Sequence, residues 1–259
     1  MPTSKPSIDE LRAVVQPPGL IERRSAEHWA GRLYMRRISL HVTRWLVGTR
    51  FTPNALTVLM ILTGLVAAFV LMLPGVLAAV GAALLIQLYL LLDCVDGEVA
   101  RWRRVSSAAG VYLDRLGHHV VEAAIVCGLG VRAAGGLAQD PGWWLVIGVV
   151  SALFVMLGKL ESDLVAVARA THGLPGSEGG DPSSSIGSVR QMRRVFAIVP
   201  LHRLVGAIEL TLLAVVAAVV DAVIGDLLAT RVLLAGVGFT AVAVAIGHPI
   251  TIVSSQRLK

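Results

Sequence analysis

Charge is scarce in this chain. Only 15% of its 259 residues are Asp, Glu, Lys or Arg, while 55% are apolar and the mean hydropathy is +0.74. Such a chain cannot clothe itself in a charged surface, which excludes an ordinary soluble globular domain and a disordered protein. Cysteine is scarce as well. Cys94 and Cys127 alone give no disulfide framework, so a stapled secreted module is excluded too. No internal repeat is present. Residues 1–27 lack an apolar core long enough for a secretory signal and read as a flexible cytoplasmic leader.

What is present is a set of long apolar runs. A bilayer core needs about 20 apolar residues per helix. Six segments qualify, at 56–73, 76–92, 111–131, 143–158 (continuing less apolar to 167), 204–224 and 232–253. The expected fold class is therefore an all-α integral membrane protein of six transmembrane helices. Acidic residues are outnumbered by basic ones, 17 to 23, giving +6 and a pI near 10.0. In a soluble protein this would suggest nucleic acid. Here it reads as basic loops facing anionic lipid, with no nucleic-acid partner. Nine basic residues precede the first span, and Arg101, Arg103, Arg104, Arg115, Arg169, Arg190, Arg193, Arg194, Arg203, Arg257 and Lys259 share its side. Arg132 and Arg231 fall on the other side, where Trp143 and Trp144 form an aromatic anchor. Both termini are thus expected in the cytoplasm, and a bacterial plasma membrane is the expected location.

Two further segments stand out. Residues 28–50 mix Trp, Leu, Tyr, Met, Ile and Val with basic residues at helical spacing, as an interfacial amphipathic helix does. A substrate-gripping element is the alternative. Residues 171–188 form a Gly/Ser/Pro loop, flexible by composition, and the basic stretch 189–198 is expected to return to the membrane surface.

Chemistry concentrates in DCVDGEVARWRRVSSAAGVYLDRLGHH, residues 93–119. Asp93 and Asp96 stand at i, i+3 and share a face at the end of one helix. Asp114 and His118 stand at i, i+4 near the start of the next. The two helices are joined by a short loop, so four metal-competent side chains can converge. Carboxylates at a membrane boundary are unfavourable unless paired or metal-bound. Oxygen ligands of this kind suit Mg²⁺ or Mn²⁺, which bind together with substrate phosphates. Gly97 and Gly110 let a phosphate approach the backbone, and Arg101 can grip one bidentately. The alternative on spacing alone is a set of interfacial charges paired with Arg101, Arg103, Arg104 and Arg115.

The segment resembles the signature of the CDP-alcohol phosphatidyltransferase family, D-x2-D-G-x2-A-R-x8-G-x3-D-x3-D. Asp93, Asp96, Gly97, Ala100, Arg101, Gly110 and Asp114 match, seven of eight fixed positions over 26 residues. Thr52-Pro53-Asn54 is similar to the TPN that opens the family's first span. The resemblance implies a homodimeric membrane transferase that moves a substituted phosphate from a CDP-linked donor to an alcohol and releases CMP. It further implies two divalent ions held by the aspartates against the donor diphosphate, with the glycines, Ala100 and Arg101 framing the CDP. The fourth aspartate of the signature is a metal ligand or the base. CDP-diacylglycerol is the expected donor, because a site at the leaflet lets lipid tails stay in the bilayer. A soluble CDP-polyol donor, or a CDP-alcohol with a diacylglycerol-type acceptor, stays open. The expected role is phospholipid biosynthesis.

The eighth position is His118 instead of Asp. A neutral imidazole can serve as base or as metal ligand, and would tolerate Mn²⁺ better than Mg²⁺. Glu122, one turn on, could orient the ring, and His119 points about 100° away. The rival consequence of His118 is a catalytically silent protein that binds CDP-lipid or metal. A cation transporter would leave Gly97, Arg101 and Gly110 unexplained. Lys159 is expected either to pair with Asp163 at i, i+4 or to line an acceptor pocket with Arg203 and His248. Convergence of those three would favour an anionic acceptor such as a polyol phosphate. Glu161 lies nearby in the same span. Glu209 is an intramembrane carboxylate and hence a site candidate. Asp221 and Asp226 are expected to be solvated.

Overall fold

The computed structural model describes residues 6–17, 29–140, 142–174 and 206–254. All regular structure among them is helical. The helices are α1 (Ile8–Val15), α2 (Arg36–Leu46, preceded by a π-helical turn at Gly31–Met35), α3 (Pro53–Leu71), α4 (Val76–Arg103), α5 (Ala108–Ala133), α6 (Gly142–Thr171), α7 (Ala207–Ile224) and α8 (Leu228–Ser254). Five of them, α3, α4, α6, α7 and α8, are long and apolar enough to cross a membrane. The shortest has 18 residues, about 27 Å at 1.5 Å per residue. Helix α5 has the length, 26 residues. Asp114, Arg115, His118, His119 and Glu122 dilute its apolar run, so the expected sixth span is not among the five. Helices α4 and α6 also outrun their apolar segments, by continuing through the charged residues at 93–103 and 159–171.

The chain divides into two compact units, residues 1–64 with 84–118, and residues 65–83 with 119–259. In the first unit, Leu46 of α2, Leu56 of α3 and Val95 and Val99 of α4 form one buried cluster. Leu11 and Val15 of α1 form another with Leu40 of α2, and Ile8, Val47 and Trp102 pack against it. The leader is therefore not featureless. Ser7 and Glu10 close a capping box at the start of α1, and burial of Leu11 and Val15 supplies the tertiary packing an eight-residue helix needs.

The structured part of 28–50 is the π turn with α2. Its inward face is hydroxylic as well as apolar, with Ser39, Leu40, Thr43 and Leu46 buried. Its outer face carries Leu33, Ile38 and Trp45, all exposed, beside Arg37, His41 and Arg44. The Tyr34 hydroxyl donates to Gln87 Oε1, which explains the one polar break in the second apolar run.

In the second unit, α6 packs along α8, and α7 joins α8 through Gly225 in the left-handed region (φ 78°). Gly130 of α5 and Gly148 of α6 approach so closely that a Cβ on Gly148 would lie 2.8 Å from the Gly130 Cα. Asp221 is not solvated as expected. It is buried and accepts from the backbone N–H of Ala229 (2.7 Å) and from Thr230, capping the start of α8. Asp226 is exposed beside Arg231 (3.6 Å), whose guanidinium lies over the Trp144 ring. Glu209 sits in the first turn of α7, where the helix dipole favours a carboxylate.

Candidate active site

The first unit holds the chemistry. Thr52 and Pro53 start α3: the Thr52 hydroxyl accepts from the Ala55 N–H, and proline occupies the first helical position. One turn on, the Thr57 hydroxyl donates to Asp96 Oδ2 at 2.6 Å. Along α4, Asp93, Gly97 and Ala100 lie at i, i+4 and i+7, forming one partly exposed stripe. Arg104 ends the helix in the left-handed conformation (φ 54°).

At the start of α5, Gly110 comes so near Asn54 that a Cβ would meet Asn54 Oδ1 at 3.1 Å. Two turns further, Gly117 seats α5 on α3, where a Cβ would overlap Ile61 at 2.6 Å. This close approach delivers the neighbouring His118. Its Nε2 lies 3.1 Å from Asp93 Oδ1 and 3.5 Å from Asp114 Oδ1. Ligand atoms of Asp93, Asp114 and His118 all fall within 4.8 Å of one another.

The donor set fits a divalent cation. Two ligand atoms on one octahedral ion, with bonds of about 2.1 Å, stand about 3.0 Å apart, close to the His118–Asp93 separation. Without a cation, two carboxylates within 4.8 Å repel by about 3.5 kcal/mol or more at an effective dielectric of 20. Asp96, the fourth expected ligand, stands outside this group of three and is buried against Thr57.

Arg101 is one turn past Gly97 as expected, and its guanidinium covers that glycine, with Nη1 3.2 Å from where a Cβ would be. Its Nε donates to the Val15 carbonyl (2.8 Å), tying α4 to the end of α1. Arg103 reaches the carbonyls of Leu46, Thr49 and Phe51 rather than a carboxylate. Neither contact belongs to a generic interfacial ion-pair lattice.

Other expectations change. Lys159 pairs with Glu122 (2.7 Å) rather than with Asp163, and Asp163 meets His119 (3.3 Å). Glu122 is thus engaged by a cation, and the group bonded to the His118 ring at Nδ1 is Tyr89. His248 Nδ1 faces Glu161 (3.3 Å). Lys159 and His248 each carry a carboxylate partner of their own. Arg203 lies outside the described residues, as do 175–188 and 189–198.

The residues that contact the signature side chains, or lie among them, and that the sequence did not reveal are Tyr89, Thr57 and Glu98. Tyr89 is one turn before Asp93, and that spacing was the only available signal. Glu98 fills a variable position of the signature, yet is fully buried. Its Oε1 accepts from Gln16 Nε2 and Ser39 Oγ (both 2.7 Å), and its Oε2 accepts from Thr43 Oγ1 (2.7 Å).

With this geometry in view, residues 50–253 match the CDP-alcohol phosphatidyltransferase family. The chain belongs to that family, and the five helices among the described residues that are long and apolar enough to cross a membrane fit an integral membrane protein. It is 33% identical over 119 residues to a bifunctional IPC transferase and DIPP synthase of Aquifex aeolicus, covering 46% of this chain and 25% of that protein. It is 30% identical over 157 residues to the protein of the same name from Thermococcus kodakarensis, covering 61% and 32% respectively. The chain thus matches a third or less of either relative's length.

Proposed function

We propose that the protein transfers a phosphatidyl-type group from CDP-diacylglycerol to a small alcohol or polyol phosphate, with release of CMP. The observation that carries this reading is the approach of Asp93, Asp114 and His118 within 4.8 Å, beside a glycine covered by Arg101.

The chemistry is a substitution at the donor's outer phosphorus. The acceptor oxygen bonds to that phosphorus, the bond to the oxygen bridging the two phosphates breaks, and CMP leaves with the electron pair. A divalent cation bound here, Mn²⁺ or Mg²⁺, would neutralise the charge gathering on the diphosphate. Asp93, Asp114 and His118 Nε2 would hold it, with Asp96 offered to a second ion. Asp114 is the more exposed of the two clustered carboxylates, at 43% against 27%, and would take the acceptor's proton. Gly97 leaves room for the Arg101 guanidinium that lies over it, which would serve the diphosphate as a counter-charge. Ala100 continues the same stripe without bulk.

His118 remains inside the cluster instead of turning away, which favours a working site over a silent binder. Lys159, Arg203 and His248 as an acceptor pocket remain part of the proposal. The partners found for Lys159 and His248 would have to be shared with, or displaced by, an anionic acceptor. The Lys/Arg distribution supports a site open to the cytoplasm with both termini inside, and a bacterial plasma membrane is the proposed location. The resemblance supports a homodimer.

The test is CMP release by purified protein in detergent with CDP-diacylglycerol, Mg²⁺ or Mn²⁺, and pooled polyols and polyol phosphates. Metal-dependent CMP that requires one acceptor is the expected result. No CMP from the wild type, but CMP from His118→Asp, would instead mark a decayed enzyme. Silence in both would sink the donor assignment.

A further inference from the structure

His118 is held at both ring nitrogens. Its Nδ1 is hydrogen-bonded to the Tyr89 hydroxyl, and its Nε2 faces Asp93 and Asp114. Tyr89 is buried, with 4% of its surface exposed. It stands one turn before Asp93 on the same face of α4, so one helix supplies both a ligand and the clamp on its neighbour. The two rings meet edge-on, with centroids 5.7 Å apart and planes at 84°. The hydroxyl and the ring contact together leave the imidazole one orientation.

A neutral imidazole carries one N–H. For Nε2 to present a lone pair to a cation, the proton must sit on Nδ1 and be donated to a partner. A phenol oxygen can accept it. A carboxylate at this position would be symmetric and would need no such partner. Tyr89 therefore answers a requirement that arises only because His118 replaces an aspartate.

Resting on the transferase reading above, we propose that Tyr89 is a positioning residue. It fixes His118 in the tautomer whose Nε2 ligates the site's cation, and so biases the site toward Mn²⁺ over Mg²⁺. The bias follows from ligand type. Oxygen-only sites suit Mg²⁺, while an imidazole nitrogen favours the later metals.

The test uses full-length protein in detergent and Mn²⁺ alone, so it does not depend on turnover. Pulsed EPR of the Mn²⁺ complex should show coupling to an imidazole nitrogen in the wild type and none in His118→Asp. A wild-type complex without that coupling refutes the proposal while leaving the transferase reading untouched. Titration of free Mn²⁺ should show binding about 10–100-fold weaker in Tyr89→Phe, as for other partners of ligating histidines. Phenylalanine keeps the ring and removes only the hydroxyl. In the His118→Asp background, Tyr89→Phe should change nothing, and the preference should move toward Mg²⁺. Equal weakening in both backgrounds would show that Tyr89 merely packs, and would overturn the assignment. Loss of CMP release with intact nitrogen coupling would instead count against the transferase reading alone.

Discussion

Two acidic groups on α4, five residues apart, are treated in opposite ways by the same helix. Glu98 is wholly buried and receives hydrogen bonds from Gln16, Ser39 and Thr43, with Arg36 3.4 Å away. Asp93 is partly exposed and faces Asp114 and His118 at short range. A buried carboxylate is stable only when its lone pairs are satisfied, and Glu98 meets that condition through side chains of the N-terminal helices. The Asp93 cluster instead concentrates like charge beside one imidazole, an arrangement a cation relieves. Full satisfaction marks Glu98 as a strut that fastens the N-terminal helices to α4. Charge crowding at Asp93, Asp114 and His118 is what the proposed cation site rests on.

The contrast can be broken by substitution. Asp93→Asn or Asp114→Asn should lower CMP release about 10³-fold, because several kcal/mol of transition-state stabilisation depend on the cation. The melting temperature should hold or rise, since a like charge is removed. Glu98→Ala should do the reverse in kind. Leaving Gln16, Ser39 and Thr43 without their acceptor should destabilise the protein by about 3 kcal/mol. The N-terminal helices should become protease-sensitive first. Glu98→Gln, which keeps an acceptor oxygen, should lose less.

Mn²⁺ at 100 times its dissociation constant should stabilise the wild type by about 2.7 kcal/mol. It should leave Asp93→Asn unchanged, as thermal unfolding would show. The smallest effect belongs to α1, where Ser7→Ala should weaken the helix by about 1 kcal/mol and speed proteolysis at its N-terminus. Hydrogen bonds from the Ser7 backbone and hydroxyl hold the Glu10 carboxyl below its ordinary value. That support is present above the ordinary carboxylate pKa and is lost as pH falls through the lowered one, so protection of α1 should fade in acid.

Legibility in the sequence follows the same divide. Asp93, Asp114 and His118 could be placed together because their helical spacings are local and the loop between α4 and α5 is short. The apolar runs likewise located all five described helices that are long and apolar enough to cross a membrane. What stayed hidden depends on pairings across long stretches of chain. Gln16 meets Glu98 over 82 residues and Thr57 meets Asp96 over 39; no periodicity announces either. Asp221 looked solvated because its cap at Thr230 forms only once α7 turns at Gly225. Helix α1 was missed because eight residues form a helix only with α2 to pack against. Helix α5 has the length of a span, but its charged first half lowers its hydropathy, so the expected sixth span is not among the five.

The most direct test of the central claim is CMP release from CDP-diacylglycerol, measured with and without Mn²⁺ on the wild type, Asp93→Asn and Glu98→Gln. Mn²⁺-dependent release that Asp93→Asn abolishes, and that Glu98→Gln largely keeps in the fraction still folded, is the predicted result. Release that persists in folded Asp93→Asn, or that needs no cation, would contradict it.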